Sequence, residues 1–232
     1  MNYRHAFHAG NFGDVLKHAV LVLLLEHLRR KPTPFFVLDT HAGPGRINLN
    51  SPEALRTNEA SGGILRLLDR PPPPLQAYVS LVNLLGLYPG SPSIIRALLR
   101  PGDQLACCEL HPEDYASLYR LFARDRQVAV HHRDGYEALG SLLPPKQGRG
   151  LVLIDPPFEA PDEYRMLARR LAMAYRRFRQ AILAAWYPIK HRTPTRAFHQ
   201  TIQSSDVRDV VTAELCLREP VDPKETGTAV ML

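Results

Sequence analysis

Asp155, Pro156, Pro157 and Phe158 follow directly on the apolar run Leu151–Ile154. On one short loop they offer a carboxylate, a backbone carbonyl at Pro156 and an aromatic face. Neither proline can donate to a strand ladder, and their fixed φ holds the loop in one shape. Gly150 precedes the run, and four consecutive apolar residues suit a strand buried on both faces of a parallel sheet. Open α/β folds bind ligands beyond the carboxyl ends of such strands, so DPPF taken alone reads either as a rigid ligand platform or as a plain turn that ends the strand.

Three further acids stand where strands should end: Asp39, Glu109 and Asp134. Asp39 opens DTHAGPGR, in which His41 adds a polar ring while Gly43 and Gly45 permit a tight turn and close approach by a ligand. Glu109 closes the second strand, a position suited to ribose hydroxyls. Asp134 and Gly135 follow the third strand, near where a base would lie. No Gly-Lys-Ser/Thr follows the glycines, which excludes a P-loop. A phosphate-rich cofactor needs a glycine-lined helix start with little negative charge nearby. Three acids and His41 favour a cationic, phosphate-free nucleoside cofactor instead, and S-adenosyl-L-methionine fits that description.

The elements that must position these residues can be read in order. Asn11 or Asp14 caps a helix over Val15–Arg29, with Lys17 and His18 in its first turns. Phe35–Leu38 is a strand. Residues 47–88, with four prolines at 71–74, form a small helical insertion. Ser91 reads as the N-cap of the next helix, with Pro92 at its first position. Gln104–Cys108 is a strand, Glu113–Phe122 a helix, Val128–His131 a strand and Ala138–Leu143 a short helix. After the DPPF loop, Tyr164, Leu167, Leu171, Ala174 and Phe178 mark one face of a helix. Its other face carries six arginines, at 165, 169, 170, 176, 177 and 179, and reads as a surface for phosphates. Gln180–Ala185 is a strand ending in Trp186-Tyr187-Pro188. Thr195–Gln203 is a helix and Val210–Leu217 a strand, and GTAVML at 227–232 reads as the opening of another. The expected division is 1–46 and 89–232 as one α/β domain, interrupted by the 47–88 insertion.

Composition agrees. In 232 residues, 45% are hydrophobic, which supplies a sizeable core, and 29 Lys and Arg against 23 Asp and Glu leave a charge of +6 that favours a polyanionic partner. Ala19–Leu25 is too short to span a bilayer, and no signal-peptide pattern surrounds it, so a cytoplasmic protein is expected. Cys107, Cys108 and Cys216 lack paired spacing, so neither a disulfide framework nor a metal site is expected.

DPPF at 155–158 falls within the Asp/Asn/Ser-Pro-Pro-Tyr/Phe signature of amino-methylating class I methyltransferases. YRHAFHAGNFGDVLKH at 3–18, LDTHAGPGR at 38–46, YPGSP at 88–92, ELHP at 109–112, RDGY at 133–136, LIDPPF at 153–158 and WYP at 186–188 occur in the order of the bacterial RlmJ family. The chain resembles that family over essentially its whole length, and the opening block is the family-specific part.

The resemblance implies a Rossmann-like class I fold. It also implies an activity, transfer of a methyl group from S-adenosyl-L-methionine to N6 of an adenine in 23S ribosomal RNA. It places Lys17, His18, His41, Ser91, Glu109, Asp134, Gly135 and Asp155 at the cofactor, beside Asp39 and Gly43 from the residue reading. Asp155, Pro156 and Phe158 become the catalytic set. Tyr3 contacts RNA, with Arg4, Phe158 and Trp186 beside it. The implied partner is 23S RNA, protein-free or in early assembly, with no membrane, no obligate protein partner and a monomeric enzyme. Three other readings remain at this point: an N6-adenine DNA methyltransferase, for which the insertion is small; methylation of a protein glutamine, which the basic balance and Asp155 disfavour; and a non-catalytic RNA-binding assembly factor. Family members continue beyond the final strand into an Asn-Pro-Pro segment and a helix.

Overall fold

A computed structural model describes residues 5–190, 192–217 and 227–232. The first helix, α1 (Phe12–Arg29), starts where Asn11 lies extended and its side-chain oxygen accepts from Asp14 N at 2.8 Å. Asn11 is therefore the cap, and the Asp14 carboxylate is left for other work. Strand β1 (Phe36–Asp39) follows, then β2 (Arg46–Ile47), α2 (Pro52–Thr57), short turns of 3-10 helix, α3 (Gln76–Leu85) and β3 (Tyr88–Pro89). The chain proceeds through α4 (Ser91–Leu98), β4 (Gln104–Glu109), α5 (Pro112–Phe122), β5 (Val128–His132), α6 (Gly135–Ser141) and β6 (Gly150–Ile154). It ends with α7 (Glu163–Arg177), β7 (Ala181–Ile189), α8 (Arg192–Gln203), β8 (Thr212–Cys216) and β9 (Gly227–Met231).

Seven strands form one sheet in the order β5-β4-β1-β6-β7-β9-β8, while β2 and β3 pair separately. β1 is hydrogen-bonded in parallel to β4 on one side and β6 on the other. The chain leaves β1 toward β4 and β5, then returns to β6 on the opposite side, which opens a crevice at their carboxyl ends. β9 runs antiparallel between β7 and β8. This is the class I methyltransferase arrangement that the sequence leads one to expect.

Alternate residues of the central strands feed two cores. Val37, Leu105, Cys107, Leu151 and Leu153 pack with α1, α4 and α5, whereas Phe36, Leu38, Ala106, Cys108, Val152 and Ile154 pack with α6, α7 and α8. The segment 47–88 has no core to itself: Ile64, Tyr78, Val79 and Val82 join the same cluster as Leu21, Leu25 and Val37. Among the described residues, no helix is long and apolar enough to cross a membrane.

Several boundaries differ from the sequence reading, each for a physical reason. Gly90, extended at φ −73° and ψ 169°, caps α4, so Ser91 is its first residue and the Ser91 hydroxyl is not used as a cap. Asp134 caps α6 by accepting from Tyr136 N and Glu137 N, which starts that helix at Gly135 rather than at Ala138. β7 continues through Trp186, Tyr187 and Pro188 because β9 supplies an antiparallel partner from Ala185 to Ile189, with Pro188 opposite Thr228. The closing segment, read as the opening of a strand, is five residues paired on both sides.

Candidate active site

The carboxyl ends of β1, β4 and β6 deliver Asp39, Glu109 and Asp155 to one crevice. Lys17, His18, His41, Gly43, Ser91, Glu109 and Asp155 line a single groove there. His41 and Glu109 also border an adjoining pocket that holds Asp134 and Gly135. A third cavity on the other side contains Phe158 and Trp186 together with His5, Phe12, Gly13 and Lys190. Lys17, Asp155, Pro156 and Pro157 line both the groove and this third cavity. Asp155 thus stands at the junction of two compartments. Tyr3 and Arg4 lie outside the described residues.

In the groove, Gly43 has φ +62°, and a side chain there would meet nothing within 4 Å because it faces open space. Gly43 N donates to Glu109 Oε2 at 2.7 Å, and His111 N donates to Oε1 at 2.6 Å. These bonds fix the carboxylate while leaving lone pairs for a ligand hydroxyl. Burial raises the Glu109 pKa, and the two backbone donors oppose that rise.

Asp39 does not line the groove. It is fully buried behind it, and both carboxylate oxygens lack a hydrogen-bond partner. Burial pushes its pKa up to about 7. The Asp155 charge adds to the rise, while Ser91, Lys17 and the His41 amide lie close enough to oppose it without completing a bond. His41 keeps partial exposure at the groove wall, with Nδ1 2.8 Å from Thr40 Oγ1 and its ring edge-on to Tyr136. Enclosure lowers its pKa to about 4 despite the nearby Asp155 and Asp134 charges, so its ring is neutral at pH 7.

Asp39 carries a sign-definite prediction. Its folded pKa lies above the unfolded value, so its contribution to stability is fully present below about pH 4 and is lost as pH rises toward 7. In ligand-free protein, Asp39→Asn should flatten this part of the stability profile, with the two chains diverging by up to about 4 kcal/mol. Denaturant unfolding at several values between pH 4 and 8 measures it, and parallel profiles would contradict it.

The sequence reading passed over a buried charge cluster. Lys17 Nζ lies 2.6 Å from Asp155 Oδ2 and 3.1 Å from Asp14 Oδ1. Asp14 Oδ2 meets His5 Nε2 at 3.0 Å and accepts from Gly10 N at 2.9 Å. Asp14 is 3% exposed and Lys17 6%, so the ammonium is buried and held between two carboxylates. Against its burial, His5 and Lys17 hold the Asp14 pKa well below the ordinary range. Acid and cation at i and i+3 on a helix were the available signal; Asp155, 138 residues away, was not readable.

Phe158 adopts φ +51°, which is unusual for a side chain of its size. Its ring packs edge-on against Tyr164 at 4.9 Å, and the Tyr164 hydroxyl donates to Pro188 O. β7 therefore braces the ring. Trp186 from the same strand passes so close to Gly13 that an added Cβ would sit 3.3 Å away. Most of the arginines at 165–179 stay exposed, several with surface partners. Arg165 pairs with Asp162, Arg176 and Arg179 approach Asp206, Arg177 donates to Leu143 O, and Arg170 lies over the Tyr136 ring.

The family model described as ribosomal RNA large subunit methyltransferase D, RlmJ, matches residues 32–232. The chain belongs to the RlmJ family. Ribosomal RNA large subunit methyltransferase J of Escherichia coli is 42% identical over 240 residues, an alignment covering all of this chain and 86% of that protein. The Haemophilus influenzae protein of the same name is 40% identical over 233 residues, covering 97% and 83%. A crystal structure of LPL1258 from Legionella pneumophila superposes with a TM-score of 0.88 at 33% identity, covering 97% of this chain and 85% of that one. The METTL16 methyltransferase domain shares the fold, with a TM-score of 0.54 at 10% identity.

S-adenosyl-L-methionine is the family's cofactor, and the groove suits it. The one ammonium in its lining is neutralised by two carboxylates, a further acid lies unpartnered behind the wall, and no cationic cradle for phosphate is built there.

Proposed function

We propose that this protein methylates N6 of one adenine in 23S ribosomal RNA. The observation that carries the reading is the position of Asp155 between the acidic groove and the aromatic-walled cavity. Lys17, His18, His41, Gly43, Ser91, Glu109, Asp134 and Gly135 would hold S-adenosyl-L-methionine, with Asp39 behind them able to ionise beside a cationic ligand. When bound, the cofactor supplies an electrophilic methyl group on a sulfonium.

The chain's own residues do the rest. An exocyclic adenine amine is a weak nucleophile because its lone pair is delocalised into the ring. Asp155 and the Pro156 carbonyl accept its two hydrogens and favour a tetrahedral nitrogen, while Phe158 stacks on the purine and holds it in line. Lys17 occupies Asp155 Oδ2, which leaves Oδ1 for the amine. A carboxylate is too weak a base to deprotonate a neutral amine, so Asp155 takes the proton once the nitrogen has become cationic. Tyr3, Arg4 and Trp186 contact the surrounding RNA. The base must leave its stack, at a cost of roughly a few kcal/mol that is smallest for an unpaired nucleotide.

Residues 47–88 serve as an insertion within the methyltransferase domain of 1–46 and 89–232. The enzyme acts as a cytoplasmic monomer on protein-free or early-assembly RNA, without an obligate protein partner. The test is transfer from labelled cofactor to protein-free 23S RNA lacking the modification, followed by nucleoside analysis. N6-methyladenosine at one stoichiometric site is expected, and preferential labelling of duplex DNA would overturn the reading.

A further inference from the structure

The segment 47–88 reaches the cofactor groove through two phenols. Tyr78 on α3 and Tyr88 on β3 are 1% and 3% exposed, and His18 between them and the groove is 1% exposed. Tyr88 OH lies 3.2 Å from His18 Nδ1 and 3.0 Å from Tyr78 OH. The imidazole is inclined to both rings at centroid distances of 6.0 and 5.8 Å. Among the described residues, Tyr78 OH engages no side chain but Tyr88, whereas Tyr88 OH also faces the Asp14 carboxylate.

The protons on this chain can be assigned by counting donors and acceptors. Burial lowers the His18 pKa to about 3, with Lys17 and His5 adding to the fall and Asp14 opposing it, so the ring is neutral and carries one N–H. Burial raises both phenols, so each keeps its proton. A buried hydroxyl proton needs an acceptor. Tyr78 has only the Tyr88 oxygen and donates to it, which leaves the Tyr88 proton for His18 Nδ1. Asp14 also faces Tyr88, but three donors, Gly10 N, His5 and Lys17, already share its two oxygens, whereas His18 Nδ1 has no other donor among the described residues and is the better acceptor.

We infer that Tyr88, backed by Tyr78, is a positioning residue that fixes His18 as the Nε2–H tautomer, presenting a donor to an acceptor oxygen of the cofactor. The insertion thereby acts on cofactor affinity without touching the cofactor. The inference rests on the assignment of His18 to the cofactor site, and the test separates the two.

Nitrogen NMR of the His18 ring in the ligand-free full chain is expected to show the Nε2–H tautomer; a protonated Nδ1 in the wild type would overturn the inference without any variant. Tyr88→Phe and the double variant Tyr78→Phe with Tyr88→Phe should lose that preference. Both should weaken S-adenosylhomocysteine binding about tenfold, raising KM for the cofactor far more than they lower kcat. Tyr78→Phe alone leaves the Tyr88 donor and should keep the wild-type tautomer. His18→Ala is the control. If it binds S-adenosylhomocysteine like wild type, the site assignment fails. If it binds weakly while Tyr88→Phe keeps wild-type tautomer and affinity, the positioning role alone fails.

Discussion

Asp155→Asn should bind S-adenosylhomocysteine nearly as wild type does and lose roughly 10²- to 10⁴-fold in single-turnover methyl transfer to 23S RNA. The substitution preserves shape and one acceptor oxygen, so the amine can still be met. What disappears is the negative charge opposite a nitrogen that becomes cationic, together with the site to which its proton goes. The fold should survive because Lys17 keeps Asp14 at 3.1 Å, so the buried ammonium is not abandoned. Asp155→Ala should be inactive too. Comparing calorimetric affinity with turnover in a quenched single-turnover experiment makes the split visible. Wild-type-like turnover in either variant would remove Asp155 from the chemistry.

Gly135→Ala should be among the most damaging small changes in the chain. An added Cβ at Gly135 would lie 1.9 Å from Thr40 O, and the obstacle is backbone rather than a side chain that could turn away. Thr40 itself is fixed, since its N and its Oγ1 both donate to Leu153 O, at 3.1 and 2.9 Å. The clash must therefore displace the start of α6, and with it the Asp134 carboxylate that caps the helix beside the pocket proposed for the cofactor. A loss of about 3 kcal/mol in stability is expected, with at least a tenfold fall in cofactor affinity in whatever protein remains folded. Gly140→Ala on the same helix is the control. Its added methyl would meet nothing within 4 Å, and alanine is the better helix former. Equal melting temperatures for the two variants would show that α6 can shift freely.

Much of this site was legible because it sits at punctuation. The runs before Asp39, Glu109 and Asp155 are short, apolar and stopped by glycine or proline, so strand ends and their acids could be placed from chain order alone. Helix starts were harder. Ser91 and Ala138 were misread because glycine at an N-cap carries no side-chain signal and because Asp134 followed by glycine resembles a turn as much as a cap. The strand through Trp186 and Pro188 was cut short in reading because proline usually ends a ladder. Only the distant Gly227–Met231 partner shows why it continues. Charge was least legible of all. Lys17 was placed in the first turns of its helix from the sequence, but its two carboxylates show only in three dimensions, as do the surface partners of the α7 arginines.

The placement of β9 also sets an order of events during synthesis. β7 gains its second neighbour only from residues 227–231, yet that pairing aligns Trp186 with Val230 and Pro188 with Thr228, beside the cavity that Gly227 and Thr228 help to line. A nascent chain can therefore complete β1, β4, β5 and β6 and their acids while the β9 side of that cavity is still unmade. Until those residues leave the exit tunnel, β7 presents an open edge able to pair with another chain. The new enzyme should thus complete the groove before the cavity beside Trp186 is closed, and translation stalled before residue 227 should leave a species that binds cofactor, modifies nothing and aggregates through that edge.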